Sequence, residues 1–303
     1  MRIAILSNGP GNYSTKRLKE VAKSRGHEVD VVKYRDCYAT IEKSQPMVWY
    51  KGEPLIGYDA IIPRIANSMT KYGSMIVRQF EMQGVYTITS SISIVRSRDK
   101  LRSMQLLARA GVGIPKTVVS RDNVDVDNLI EHLGGAPIII KLARGTHGNG
   151  VVLAETKKAA KSVLQAFHVM DTDGTNILLQ EFVKESAAMD IRVFVVGGKV
   201  IASMKRQSLD DDFRSNLHQG GEGEKIVLTD EEKKTALKAA KSMGLNLCGV
   251  DLMRSDHGPL ILEVNASPGF GIEKVTNRDV ATPIIEYIEM NAGRSHRKDK
   301  IGA

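Results

Sequence analysis

The chain has 303 residues, 42% of them hydrophobic and 26% charged, a composition that excludes a disordered or fibrous protein and allows two or three domains with cores. No apolar run approaches the ~20 residues of a membrane span, which argues against a membrane protein. Lysine and arginine number 43 against 35 acids, a net charge of +8 suited to an acidic substrate, peptide or nucleic acid. No helix-turn-helix, zinc-finger or aromatic-basic RNA-binding motif accompanies that charge, so direct nucleic-acid recognition is not expected. The two cysteines, Cys37 and Cys248, lack metal-ligand spacing. The opening MRIAILSNGPGN runs straight into a strand-and-turn pattern, so a reducing cytoplasm is the expected compartment.

In chain order, residues 2–7 read as an apolar strand and 14–25 as an amphipathic helix capped by Ser14. Strands at 28–33 and 60–65 follow, then a helix over 69–83 stopped by Gly84 and a strand at 85–89. This alternation predicts a parallel sheet. The turn Asn8-Gly9-Pro10-Gly11 lacks the third glycine of a dinucleotide fingerprint and reads as a plain tight turn. A helix over 99–110 begins at Asp99 and ends before Gly111. A second pattern has strands at 117–119, 138–141 and 151–154, helices at 124–133 and 156–167, and a strand at 177–181 that leaves the unit. The last third has strands at 190–196, 199–205, 247–254 and 260–265, with helices at 230–243 and 278–290. The expected units are 1–95, 96–180 and 181–290, with a basic tail over 291–303.

The most informative stretch is GVDLMRSDHGPLILEVNASPGF, 249–270. If its two apolar strands close symmetrically on the turn at 255–259, Arg254 pairs with Leu260 and Asp251 falls opposite Glu263. Asn265 lies two residues beyond Glu263 and shares its face. Three oxygen-bearing side chains on one apolar sheet suit a hard cation such as Mg²⁺, rather than a solvated face with incidental acids. Upstream, IIIKLARGTHGNGV ends a buried strand with Lys141 and a loop carrying Gly145, Gly148 and Gly150. Glycines let backbone N–H groups approach phosphate closely, and the lysine adds a point charge. The segment lacks the Gly-Lys-Ser/Thr ending of a P-loop, and by itself fits a structural hairpin equally well.

Other groups admit two readings. Gln180 and Glu181 in ILLQEFV belong to a core strand or to a strand edge that pairs with adenine. Asp190 and Arg192 alternate on the next strand, either as an ion pair or as contacts to ribose and to a carboxylate or phosphate. The stretch DDDFRSNLHQGG, with Arg214 and Asn216, reads as a surface loop or as a lid over reacting phosphates. Lys100, at a helix start, is surface charge or a phosphate contact.

These pieces occur in the order of an ATP-grasp ligase. DKLRSMQLLARAG, GGAPIIIKL, GTHGNGVVLAET, DFRSNLHQGG, and GVDLMR with LEVNASPG resemble the RimK family, whose founding activity adds glutamate to the C-terminus of protein six of the small ribosomal subunit. The resemblance implies an α/β chain with α+β elements in the ATP-grasp fold, an N-terminal parallel-sheet domain preceding two subdomains that clasp ATP. It implies that Lys100 and Lys141 contact phosphates, with the glycine loop at Gly145 and Gly148. Glu181 and Phe182 would flank adenine, Asp190 would hold ribose, and Arg214, Ser215 and Asn216 would meet the nucleotide. Asp251, Glu263 and Asn265 would carry two Mg²⁺ ions, with Mn²⁺ able to substitute. Arg192, Arg206 and Arg214 would pin carboxylates of L-glutamate or of the acceptor's acidic tail. An acyl phosphate, an additional poly-α-glutamate synthesis and a homodimer or homotetramer complete the implied picture. A small cofactor or carrier protein as acceptor, and a basic ribosome-binding protein without catalysis, are the competing expectations.

Overall fold

The fold is taken from a computed structural model, which describes every residue except 121–124, 143–150, 171–176, 187–188, 208–221 and 294–303. The N-terminal part carries β1 (Arg2–Leu6), α1 (Tyr13–Ser24), β2 (Glu28–Val32), β3 (Cys37–Thr40), β4 (Met47–Tyr50), β5 (Glu53–Pro54), β6 (Ala60–Pro63), α2 (Thr70–Met82) and β7 (Tyr86–Thr87). Strands β2-β1-β6-β7 form the parallel sheet that the alternating pattern predicts. The short antiparallel sheet β3-β4-β5 was not expected. Its strands have only two to four residues, too few for period-two alternation to stand out. Ser14 does not cap α1: the N-cap is Asn12, and Ser14 Oγ instead accepts from Arg64 Nη2 at 3.2 Å.

Two consecutive helices, α3 (Ser91–Arg98) and α4 (Lys100–Arg109), lead into the middle of the chain. The first escaped the sequence reading because its apolar positions are few. Asp99 caps α4 as expected, accepting from the Arg102 N–H at 2.9 Å. The central sheet has β8 (Thr117–Ser120), β9 (Ile138–Leu142), β10 (Val151–Ala154) and β11 (Ile177–Glu181), in the order β10-β9-β11-β8 and wholly antiparallel. The strand at 177–181 therefore does not leave this unit. It lies between β9 and β8, and its run of apolar residues reflects that interior place. Helices α5 (Val126–His132) and α6 (Lys157–Met170) accompany it.

The last sheet runs β14-β13-β12-β15-β16, from β12 (Met189–Val196), β13 (Lys199–Gln207), β14 (Glu222–Lys225), β15 (Leu247–Ser255) and β16 (Gly258–Asn265). Helix α7 (Asp230–Met243) starts at a capping box between Thr229 and Glu232 and ends at Gly244, whose φ of 71° suits glycine. Helices α8 (Gly271–Thr276) and α9 (Ala281–Asn291) close the described chain.

Apolar packing divides the molecule unequally. Ala4 and Leu6 of β1 share one cluster with Val193, Val250 and Val264 of the last sheet. Ile3 and Ile5, on the other face of β1, share a second with Phe194, Ile284 and Ile285. The central sheet packs separately, with Ile138, Ile140 and Leu179 against Ala160 and Leu164 of α6.

Candidate active site

The β15–β16 hairpin carries the acidic residues, and its register differs from symmetric closure. Ser255 pairs with Gly258, Arg254 with Pro259 and Met253 with Leu260, so Arg254 does not face Leu260. A tight turn at Asp256-His257 and Gly258, at φ 98°, closes the hairpin one step earlier than expected. Continued unchanged, that register would set Asp251 opposite Leu262 and turn Glu263 to the other face. An irregularity between Asp251 and Leu252 absorbs one extra residue of β16, and Asp251 then faces Glu263, with Gly249 facing Asn265.

Asp251 is 3% exposed and held by two arginines. Arg192, its cross-strand partner on β12, reaches it through Nε, and through Nη2 at 2.6 Å. Arg206 of β13 reaches Asp251 Oδ2 at 3.0 Å and also grips Asp190, through Nε at 2.7 Å and through Nη2. Burial alone would push the Asp251 carboxyl up, but the charges of Arg192 and then Arg206 outweigh it and hold it below the usual range. Burial likewise opposes the Arg206 cation, but Asp251 and Asp190 raise its pKa. Asp190, Arg192 and Arg206 thus form a buried ionic lattice within the sheet. Asn265 Nδ2 links the lattice to its open edge, lying 3.5 Å from Asp251 Oδ2 and donating to Glu263 Oε1 at 2.8 Å. Glu263 is the exposed member.

Cations from other elements approach that edge. Lys141, at the end of β9, donates to the buried Gln180 of β11. Burial lowers its pKa to about 8, Glu263 opposing the shift and Lys100 adding to it. Lys100, first residue of α4, is also pushed down by burial and supported by Glu263. The side chain of Glu181 accepts from the Lys116 N–H at 2.8 Å, and half-buried Phe182 follows it at the end of β11. Gly145, Gly148, Arg214, Ser215 and Asn216 lie outside the described residues.

Two arginines were missed in the sequence. Arg98, the last residue of α3, has burial lowering its pKa and Glu263, then Tyr34, raising it. Arg64 directly follows β6, at the carboxyl end of a parallel strand, where sites of open α/β sheets gather. That placement was the available signal. Glu263 supplies an exposed hard oxygen donor and Asn265 an amide oxygen, chemistry that suits Mg²⁺ when completed by phosphates and water, while both oxygens of Asp251 accept from Arg192 and Arg206 in this structure. Among the described residues no group of three His, Cys, Asp or Glu side chains forms a metal site unaided.

Residues 1–94 match the family model described as the RimK PreATP-grasp domain, and 97–288 the RimK-like ATP-grasp domain. The chain belongs to the RimK-like ATP-grasp family. It is 56% identical over 301 residues to a probable alpha-L-glutamate ligase of Hydrogenovibrio crunogenus, and 55% identical over 302 residues to one of Picosynechococcus sp., each comparison covering 99% of both chains. The fold is that of solved ATP-grasp ligases. PsnB, complexed with minimal precursor, Mg and ADP, superposes with a TM-score of 0.73 at 20% identity, over 97% of this chain and 98% of that one. The D-alanine–D-alanine ligase of Bacillus anthracis gives 0.65 at 17% identity, over 97% and 98%.

Proposed function

We propose that this protein is an ATP- and Mg²⁺-dependent α-L-glutamate ligase that joins L-glutamate to the terminal carboxylate of an acidic protein tail. The observation that carries the reading is the pairing of Asp251 with Glu263 across the β15–β16 hairpin, with Asn265 bonded to Glu263, in a place where the charge of Glu263 also favours the cationic forms of Lys100 and Lys141. Cations for phosphates and oxygen donors for a metal meet at one edge of a sheet. The RimK-like family and the glutamate ligases named among its relatives support the amino acid. The acceptor tail, that of protein six of the small ribosomal subunit in the founding activity, is inferred from the family resemblance.

In the proposed site, Lys100 and Lys141 neutralise phosphate oxygens, and Gly145 and Gly148 are assigned to the phosphates by the family resemblance alone. Glu181 and Phe182 border the adenine, and Arg214, Ser215 and Asn216 are assigned by the family resemblance to the rest of the nucleotide, whereas Asp190, expected to hold ribose, is buried and paired with Arg206. Asp251, Glu263 and Asn265 hold Mg²⁺, two ions in the family pattern, with Mn²⁺ as a substitute. The metal supplies charge neutralisation at the transferring phosphoryl group. The acceptor carboxylate attacks the γ-phosphorus and ADP leaves. The neutral amino group of glutamate then attacks the acyl carbonyl, phosphate departs with the electron pair of the broken C–O bond, and the proton lost by nitrogen passes to that phosphate. Arg192 and Arg206 orient Asp251 from within the sheet, and Arg214 is assigned to a substrate carboxylate.

The test is ADP release with Mg²⁺, ATP and L-glutamate, with and without a peptide ending in Glu-Glu, read beside product mass. Peptide-dependent turnover with mass rising in glutamate steps is expected. Turnover with glutamate alone would identify a poly-α-glutamate synthase. Turnover only with a small glutamylated cofactor or a carrier protein would replace the acceptor assignment.

A further inference from the structure

A cavity of about 250 Å³ lies where β1 and β6 of the parallel sheet end. Asn8, Ser14 and Thr15 line it beside Arg64, and Ser267 of the segment after β16 closes it. Its lining is polar and apolar in nearly equal parts, and two polar side-chain atoms of its lining residues are buried without partners: Arg64 Nη1 and Ser267 Oγ. The other guanidinium nitrogen, Arg64 Nη2, donates to the Pro268 carbonyl at 2.6 Å and to Ser14 at 3.2 Å. Among the described residues no carboxylate pairs with Arg64. Its charged neighbour is Arg98, another cation, whose Nε is also buried without a partner. Burial, and then Arg98, push the Arg64 pKa down to about 10.

Two buried like charges with unused donors are costly unless an anion joins them. The guanidinium fork matches a carboxylate geometrically. Position favours the same ligand. Ser267, which lines the cavity, lies two residues beyond Asn265 at the end of β16, so the cavity sits next to the carboxylate-bearing end of that strand. Arg192 and Arg206 are already committed to Asp251 and Asp190, whereas Arg64 retains a free donor.

We propose that this cavity is a subsite for a carboxylate of the ligase's substrates, belonging either to free L-glutamate or to the acceptor's last residue, with Arg64 as its counter-charge. The assignment rests on the ligase reading. Its test compares the wild-type protein with Arg64→Gln, Arg64→Lys and Asn8→Asp. Asn8→Asp keeps the acceptor oxygen that takes the Arg35 N–H at 3.1 Å and adds a negative charge to the cavity wall. KM is measured separately for L-glutamate, for the Glu-Glu peptide and for ATP, beside direct binding of glutarate by calorimetry.

A rise of at least tenfold in one carboxylate substrate's KM is expected in Arg64→Gln and Asn8→Asp, with ATP KM within twofold of wild type and partial recovery in Arg64→Lys. A rise for glutamate assigns the cavity to the amino acid, and a rise for the peptide assigns it to the acceptor. Unchanged KM values for both, in a folded Asn8→Asp or Arg64→Gln protein, overturn the proposal and leave the ligase reading standing. If the wild type ligates neither substrate, that reading fails alone provided glutarate binding is present and lost in the variants. If glutarate binds wild type and variants equally, or binds none of them, the cavity assignment fails as well.

Discussion

Glu263 and Asp251 face each other across one hairpin, yet they are unequal experimental probes. Glu263 is exposed, so Glu263→Gln is expected to lower turnover by roughly 10²-fold or more while leaving the melting temperature nearly unchanged. Undiminished ADP release would remove Glu263 from the metal site. Asp251→Asn takes the counter-charge from two arginines in a buried lattice, and is expected to cost about 3–5 kcal/mol in urea unfolding. Inactivity of that variant would therefore mix lost chemistry with lost structure. Lys141 titrates near pH 8, below its ordinary 10.5. Between those values the unfolded chain binds more protons, so this residue's contribution to stability rises with pH across the window. Phosphate favours the protonated form, so ATP binding near pH 8 is expected to take up a proton and weaken as pH rises further. Calorimetry in two buffers of different ionisation enthalpy measures that uptake, which Lys141→Met should abolish. Spacing singled out the oxygen donors in the sequence, and the family resemblance singled out the lysines, because strand register and motif order are local features. Arg64 and Arg98 stayed hidden because their significance comes from burial with one guanidinium nitrogen of each left unpaired, which no local pattern records.

At the scale of elements, long periodic segments were legible and short ones were not. The boundaries expected for α7 match its observed bounds, since Thr229, Glu232 and Gly244 mark both ends chemically. Helix α8 and strands β3–β5 are too short to develop a period. The hairpin is instructive because the expected pairing of Asp251 with Glu263 occurs through a different register. The turn closes one step early, and an irregularity further along restores the alignment. Gly258 makes the early closure feasible. Its φ of 98° is in the region glycine favours, and an added Cβ would meet Glu231 Oε1 at 3.0 Å. Gly258→Ala is expected to destabilise by about 1–2 kcal/mol, read from the urea midpoint at unchanged slope. A neutral result would mean that the turn relaxes to another form.

Across the whole molecule, the expected parallel sheet and the antiparallel sheets are present, but sequence periodicity did not disclose which of them share a core. The first and last sheets do, through both faces of β1, and the central sheet packs on its own helices. Native-state hydrogen exchange should therefore show β1, β6, β12 and β15 opening together at the highest free energy, with β9 and β10 opening earlier. ATP should slow exchange in β9 more than in β1, because Lys141 belongs to β9. Equal protection everywhere would indicate one cooperative unit.

That division bears on how relatives could be recombined. A chimera joined near residue 95 would separate Ala4 and Leu6 from Val193 and Val250, so the two parental sequences would meet inside a shared apolar interior. Exchange of the segment from β8 to β11 cuts fewer such contacts. Its demanding junction is Gly113, whose carbonyl accepts from the Ile261 N–H at 2.7 Å and where an added Cβ would lie 2.6 Å from the Pro259 oxygen. Transplants that keep this glycine are the ones expected to yield folded hybrids.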